Sequence, residues 1–231
     1  MENILNTFYN EVLNFILPPV CLSCESLLSN GNKYLCDNCS SSIVKINNDA
    51  DVILSALNSD SPISKVYSLY LFQETTPIQT LMHALKYGQM RRIGVQYGSL
   101  LANEVLMKSS LSVDYIIPVP LHISKKRERG YNQSDFICEG ISRILQTRVL
   151  KKCLKRKRFT QTQTKLTREE RMKNVSGAFE LRNKFRDLIK SKNILIVDDV
   201  ITTGSTILEC SKVLKDAGCG EINACSIAFA E

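Results

Sequence analysis

The stretch that most constrains this chain is Asn193-Ile-Leu-Ile-Val-Asp198-Asp199-Val-Ile-Thr202-Thr203-Gly204-Ser205-Thr206. Ile194 to Val197 is an unbroken aliphatic run, which reads as a strand covered on both faces. Two carboxylates close the run, a turn of small residues follows, and a helix is predicted over 204–217. In an open α/β sheet, ligands gather at the carboxyl ends of the strands, so this junction faces the site. Gly204 lets backbone amides close around an anion. Those amides, the helix dipole and the hydroxyls of Thr203, Ser205 and Thr206 form a phosphate cradle. The lysine and spacing of a Walker loop are absent. Adjacent carboxylates would repel a phosphate unless another group needs them. Vicinal ribose hydroxyls do, because each can donate to a carboxylate, and Mg²⁺ can share the charge. The plainer alternative is that Asp199 and Thr202 only cap a turn and a helix.

The surrounding elements suit such a sheet. Residues 66–72, 113–117 and 221–229 read as strands, and 148–154 as a short one. Thr76-Pro77 opens a helix through Leu81, Leu85 and Lys86, and further helices are expected over about 93–107 and 132–146. Strands alternating with helices, the strands being near-continuous apolar runs, give an α/β fold with a parallel sheet flanked by helices. Residues 40–62 are polar and rich in Ser and Asn, apart from a patch at Val52 to Leu57, and read as a linker. Residues 155–175 are polar and basic without sustained period. The expected organisation is 1–60, an N-terminal helix and small cysteine module with its linker, and 61–231, the α/β domain.

Cys21-Leu-Ser-Cys24 and Cys36-Asp-Asn-Cys39 are two Cys-x-x-Cys knuckles. Such a pair of turns supplies the four thiolates of a tetrahedral, zinc-ribbon-like site, the alternative being redox dithiols or unliganded thiols. A filled four-thiolate shell leaves no open position, so the Zn²⁺ is expected to be structural. The residues between the knuckles carry few large apolar groups, so metal would supply most of their stability. Cys138, Cys153, Cys210, Cys219 and Cys225 read as small buried or incidental thiols. Ahead of the knuckles, Ile4, Leu5, Phe8, Val12, Phe15 and Ile16 recur at helical spacing until Pro18-Pro19. The polar face of that helix is not basic, so packing onto the protein's own body is favoured over a membrane surface.

With 44% apolar and 23% charged residues the chain is ordinary globular material, which excludes collagen-like and wholly disordered readings. No apolar run reaches a membrane span. Glu2 and Glu11 stand where a secretory signal would be basic, so the expected location is the cytoplasm. Residues 1–60 carry two lysines against seven acids, whereas the rest of the chain is strongly basic within a net charge of +7. The basic excess is densest over 121–192. It favours a polyanionic partner, either a phosphorylated metabolite or a nucleic acid, against the alternative of a solvated flexible loop.

The acid pair and glycine turn resemble the signature of type I phosphoribosyltransferases, which bind 5-phosphoribosyl-1-pyrophosphate (PRPP). The resemblance extends to the competence protein F (ComF) family, in which a four-cysteine zinc module precedes a phosphoribosyltransferase-like domain. It is carried also by Ile117-Pro118-Val119-Pro120-Leu121-His122, by Arg127-Glu-Arg129-Gly130-Tyr131-Asn132-Gln133, and by Arg158-Phe-Thr160-Gln-Thr-Gln163 continuing through Arg171-Met-Lys-Asn174-Val175-Ser-Gly177-Ala178-Phe179. It implies that Asp198 and Asp199 hold the ribose hydroxyls and, as candidate catalytic residues, stand at the reacting centre. It gives Thr202, Thr203, Gly204, Ser205 and Thr206 the 5′-phosphate. Val119 and Pro120, with Arg127 and Arg129, would face the pyrophosphate, and the basic 155–175 stretch would be a mobile loop closing over the centre. The implied chemistry is displacement of pyrophosphate at C1 of PRPP by a nitrogen nucleophile, with Mg²⁺. Purine-salvage relatives of the hypoxanthine-guanine type carry an acid where this chain has Thr202, so the acceptor is not recognised in that way here.

Three functions follow from these features: a PRPP-dependent transferase, a PRPP sensor without turnover, and a single-stranded DNA-binding protein of natural transformation. For the last, Lys155, Arg156, Lys157 and Arg158 are the candidate phosphate contacts. His122 stands beside the Pro-Val-Pro turn and is either a ligand contact or a capped residue, with a smaller claim for His83. No helix-turn-helix pattern argues for a duplex reader. Oligomeric state is left open by the sequence.

Overall fold

The computed structural model describes residues 18–29, 31–46, 61–158 and 168–230. The helix expected through Ile4 to Ile16, the patch at Val52 to Leu57 and positions 159–167 of the expected mobile loop lie outside the described residues.

Five parallel strands form the sheet: β1 (Lys65–Leu71), β2 (Tyr115–Pro118), β3 (Arg148–Val149), β6 (Ile194–Ile201) and β7 (Ile222–Phe229), in the order β1-β7-β6-β2-β3. β7 is buried at every position, as a strand with both faces covered must be. Helices α2 (Pro77–Tyr87), α3 (Arg91–Glu104) and α5 (Gln133–Leu145) supply one core layer through Leu81, Leu85, Ile93, Leu101, Ile137 and Ile141, all fully buried. On the other side, α8 (Ser205–Asp216) contributes Ile207 and Leu214. It is joined by α7 (Arg186–Ile189) and a two-stranded antiparallel hood of β4 (Leu154–Arg156) and β5 (Phe179–Leu181).

Glycine decides how closely α3 and α5 approach. A Cβ built on Gly140 would sit 2.1 Å from the Val95 carbonyl oxygen, and one on Gly98 would sit 2.3 Å from that of Ile137. Ser99 Oγ donates to the Gly140 carbonyl across the same crossing, at 3.1 Å. The two helices therefore touch backbone to backbone, which brings the N-terminus of α5 down onto β6.

The chain leaves β2 toward β3 on one side and leaves β6 toward β7 on the other, so the order reverses between β2 and β6. The following helices respect that split, with α5 in one core layer and α8 in the other. A crevice at the carboxyl ends of β2 and β6 is the geometric result.

Several elements differ from the sequence reading for identifiable reasons. β6 does not stop at Val197. It continues through both aspartates to Ile201, because β7 supplies partners as far as Ile201↔Phe229. Part of the 40–62 stretch is ordered against the sheet. Val44 accepts from the Leu71 amide, the Ile46 amide donates to Leu69, and Lys45 faces Tyr70 in an antiparallel bridge that covers the outer edge of β1. Arg148 to Leu154 is two strands in two different sheets. The helices α4 (Ile123–Arg129) and α6 (Arg168–Val175) carry too little apolar pattern to announce themselves. The cysteine module, which carries the short helix α1 (Asp37–Ser41), contributes Cys21, Tyr34, Leu35 and Ile43 to the same core layer as Leu69 and Tyr97. Among the described residues no helix is long and apolar enough to cross a membrane.

Candidate functional site

Asp198 and Asp199 lie where β2 has already ended: the last β2 pair is Pro118↔Val197, so β6 runs on with one edge uncovered. Asp198 Oδ1 accepts from the Asp199 amide at 2.9 Å and from Ser134 Oγ, in the first turn of α5, at 3.3 Å. Asp199 Oδ1 accepts from the Val200 amide at 2.7 Å, while its Oδ2 meets Lys86 Nζ at 3.3 Å. Burial, and secondarily the neighbouring Asp199 carboxylate, push Asp198 up to about 7. Each carboxylate is fixed by a backbone amide.

Beyond the acids the chain turns through Gly204, whose φ of +70° is the left-handed conformation that glycine adopts without strain. α8 starts at once, and its first-turn amides have no carbonyl partner within the helix. Thr203 Oγ1 and Ser205 Oγ lie 3.1 Å apart at its mouth. Asp198 and the turn from Val200 to Ile207 line a small hollow of about 30 Å³. A helix N-terminus with hydroxyls around it favours negative charge, and the carboxylates beside it favour hydroxyl donors.

Cations crowd the same end of the sheet. Lys125 and Arg129 occupy one face of α4, and both are half-buried, whereas Arg127 on the opposite face is exposed. Lys125 is held below its ordinary value by burial first, then by Arg129 and Arg156, with Lys86 adding to the repulsion. Arg156 is lowered by burial, against the pull of Asp198 among others, and its guanidinium lies 5.2 Å from the Phe179 ring centroid. Arg129 stacks over Tyr87 at 4.9 Å and donates to its hydroxyl at 3.1 Å, while its Nε is buried without a hydrogen-bond partner among the described residues. Lys86 and Arg156 act on the acid pair, and Lys125 and Arg129 stand beside them at this end of the sheet.

The remaining sequence candidates are placed as follows. The Val119 amide donates to Val197 and its carbonyl accepts from Asn132 Nδ2, so that backbone is used in holding β2 and α5 together. His122 caps α4, its Nδ1 accepting from the Ser124 amide at 3.3 Å. His83 is exposed beside Tyr87. Lys155 and Lys157 both pair with Glu180, and the Arg158 guanidinium donates to the carbonyls of Asn174 and Ser176. Only Arg156 of that run turns inward. Lys86 is the residue that sequence reasoning gave no role. It reads as an ordinary helix-terminal lysine, and nothing local announces a partner on β6.

The four cysteine sulfurs lie within 4.8 Å of one another. Tetrahedral coordination at zinc–thiolate distances places sulfurs about 3.8 Å apart, so the cluster can hold a metal ion with little adjustment. Burial opposes the Cys21 thiolate, but the amides of Cys24, Cys36 and Ser23 outweigh it and bring it down to about 6. Cys39 is pushed up to about 12 by burial and by its neighbouring sulfurs. Four thiolates this close require a cation to coexist.

The architecture is that of an α/β protein with a crevice at a strand-order reversal, an acid pair on β6 and, just beyond it, a glycine turn into α8. Residues 94–230 match the phosphoribosyl transferase domain, and the chain belongs to that family. It is 35% identical over 150 residues to a DNA utilization protein YhgH of Escherichia coli O6:H1, covering 63% of this chain and 64% of that one. It is 41% identical over 118 residues to competence protein F of Haemophilus influenzae, covering half of each. Competence protein ComFC of Bacillus subtilis aligns over 88% of this chain and 82% of its own at 23% identity. The chain thus spans half to under two thirds of the first two relatives. Among solved structures, the Bacillus subtilis glutamine PRPP amidotransferase superposes with a TM-score of 0.41 at 18% identity, over 62% of this chain and 30% of that one. The Saccharomyces cerevisiae adenine phosphoribosyltransferase gives 0.35 at 15%, over 79% and 88%. The family assignment rests on the domain match.

Proposed function

We propose that this chain binds PRPP, and that it does so in the cytoplasm in the service of DNA uptake. The observation that carries the reading is the continuity of β6, Gly204 and α8. It sets two fixed carboxylates and a helix N-terminus side by side, the pairing a sugar diol and its 5′-phosphate require. Asp198 and Asp199 would take the ribose hydroxyls and Thr202 to Thr206 the phosphate. Lys125, Arg129 and Arg156 would face the pyrophosphate. Mg²⁺, when bound, would share the diphosphate charge with the acid pair. In the cysteine module, Cys21, Cys24, Cys36 and Cys39 would hold Zn²⁺ in a closed, structural site.

A ligand that binds only the folded state raises the melting temperature. PRPP with Mg²⁺ is expected to do so, and the double variant Asp198→Asn, Asp199→Asn is expected to lose the shift. An undiminished shift in that variant overturns the ribose assignment. Pyrophosphate release across a panel of nucleobases and amines then separates a transferase from a PRPP sensor.

The link to DNA is a second, separate reading. It is supported by the basic excess of residues 61–231 and by the names of the DNA utilization and competence relatives.

A further inference from the structure

A second cavity has a lining separate from that of the hollow beside the acid pair. It is a groove of about 1320 Å³ between the cysteine module and the outer faces of α3 and α5, and it shares no lining residue with the hollow at Gly204. That volume exceeds the roughly 300–1,000 Å³ typical of small-ligand pockets. Its charge is one-sided. Lys33 comes from the module, Arg91 and Arg92 from the first turn of α3, and Arg143 from the last turn of α5. Glu139 is the one acid among the described lining residues, and Arg143 occupies it at 2.6 Å. Lys33 and Arg92 are exposed and form no ion pair among the described residues.

The walls are not only cationic. Tyr34 and Phe136 line the groove, and the Arg91 guanidinium lies 5.8 Å from the Phe136 ring centroid. Cations on three separate elements, with the partly exposed Phe136 between them, suit a flexible chain of single negative charges that also carries π-faces. We propose that this groove binds single-stranded nucleic acid, its phosphates on Lys33, Arg91 and Arg92 and a base against Phe136. The assignment rests on the DNA reading above and is independent of the PRPP reading. It moves the nucleic-acid contacts away from Lys155, Lys157 and Arg158, which the hood already engages. It also makes the metal module one wall of the binding site.

The test uses the full chain and a fluorescent oligothymidylate of twenty residues, titrated at several salt concentrations. Binding is expected to weaken steeply with salt. The double variant Lys33→Ala, Arg92→Ala is expected to bind roughly tenfold more weakly, with a salt slope smaller by about two. Lys155→Ala with Lys157→Ala is expected to stay within about twofold. Polyglutamate of equal charge is expected not to displace the oligonucleotide. The proposal fails if wild-type protein does not bind the oligonucleotide or if the Lys33, Arg92 variant binds as well as wild type. It fails equally if the Lys155, Lys157 variant carries the loss, or if polyglutamate competes fully, which would make the groove an acidic-peptide site. The PRPP-induced melting shift should survive in the Lys33, Arg92 variant, which keeps a failure here distinct from a failure of the sugar-phosphate reading.

Discussion

Lys86 Nζ stands 3.3 Å from Asp199 Oδ2, so the last turn of α2 supplies the counter-ion of an acid pair on β6. Asp198, one residue earlier, accepts from the backbone amide of Asp199 and the Ser134 hydroxyl and feels Lys86 only at longer range. The division makes the two carboxylates chemically unlike: Asp199 is matched by a charge, and Asp198 bears the repulsion.

Removing the Lys86 ammonium takes away an attraction that Asp198 also feels. In Lys86→Met the Asp198 carboxyl is expected to titrate higher than in the wild type, by roughly one unit. Carboxyl-carbon NMR of aspartate-labelled protein reads this directly. An unmoved titration would mean that Lys86 acts only by packing.

The Asp198 shift also fixes a pH dependence of stability. An unfolded aspartate titrates near 3.9, whereas in the fold Asp198 sits at about 7. Between those values the folded chain keeps a proton that the unfolded chain has released. The resulting stability is complete below about pH 4 and is lost as pH rises through about 7. Asp198→Asn should remove that decline, leaving the variant more stable than wild type at pH 8 by about 1–2 kcal/mol after solvent screening at the partly open site. Melting curves at pH 5 and pH 8 check it, and parallel curves for the two proteins would contradict it.

The acid pair, the glycine turn and the cysteine knuckles were legible because each is a local pattern, its chemistry contained within a few neighbouring residues. Lys86, the inward turn of Arg156 and the edge pairing of Lys45 with Tyr70 were not. Each depends on a partner far along the chain, and a lysine that meets a carboxylate is spelled like one that meets water. Arg127 and Arg129 show the same limit within one helix. Sequence ranks them equally, and only the docking of α4 turns Arg129 onto Tyr87 and leaves Arg127 outside. The hood strands are short and mixed in polarity, so no periodicity separates them from a loop.

The contact between α3 and α5 makes Gly140 a structural requirement. An alanine methyl there would meet the Val95 carbonyl oxygen at 2.1 Å, and backbone cannot yield as a side chain can. Gly140→Ala is expected to cost about 3 kcal/mol in urea unfolding.

The cysteine module is predicted to depend on its metal while the sheet does not. Cys24→Ser removes one of four ligands, so bound metal should drop to a small fraction of one equivalent. Cys21, Tyr34 and Leu35 belong to the shared core layer, so their loosening should lower the melting temperature by several degrees. The far-UV spectrum should change little, since strands β1 to β7 lie outside the module. Full metal retention in Cys24→Ser would show that the sulfur cluster does not act as one site.

Gly204 separates the cost of the turn from the function of the cradle. At φ +70° an alanine pays about 1–2 kcal/mol of backbone strain, which urea unfolding of Gly204→Ala should read. If the turn relaxes away from the left-handed region, the first-turn amides of α8 no longer converge on the hollow beside Asp198. The PRPP-induced melting shift should then fall by more than the change in stability explains. Gly140→Ala supplies the comparison, because it destabilises the fold without altering the residues of the turn. Equal loss of the PRPP shift per kcal/mol in both variants would mean that the turn contributes only rigidity, and a larger loss in Gly204→Ala assigns phosphate binding to those amides.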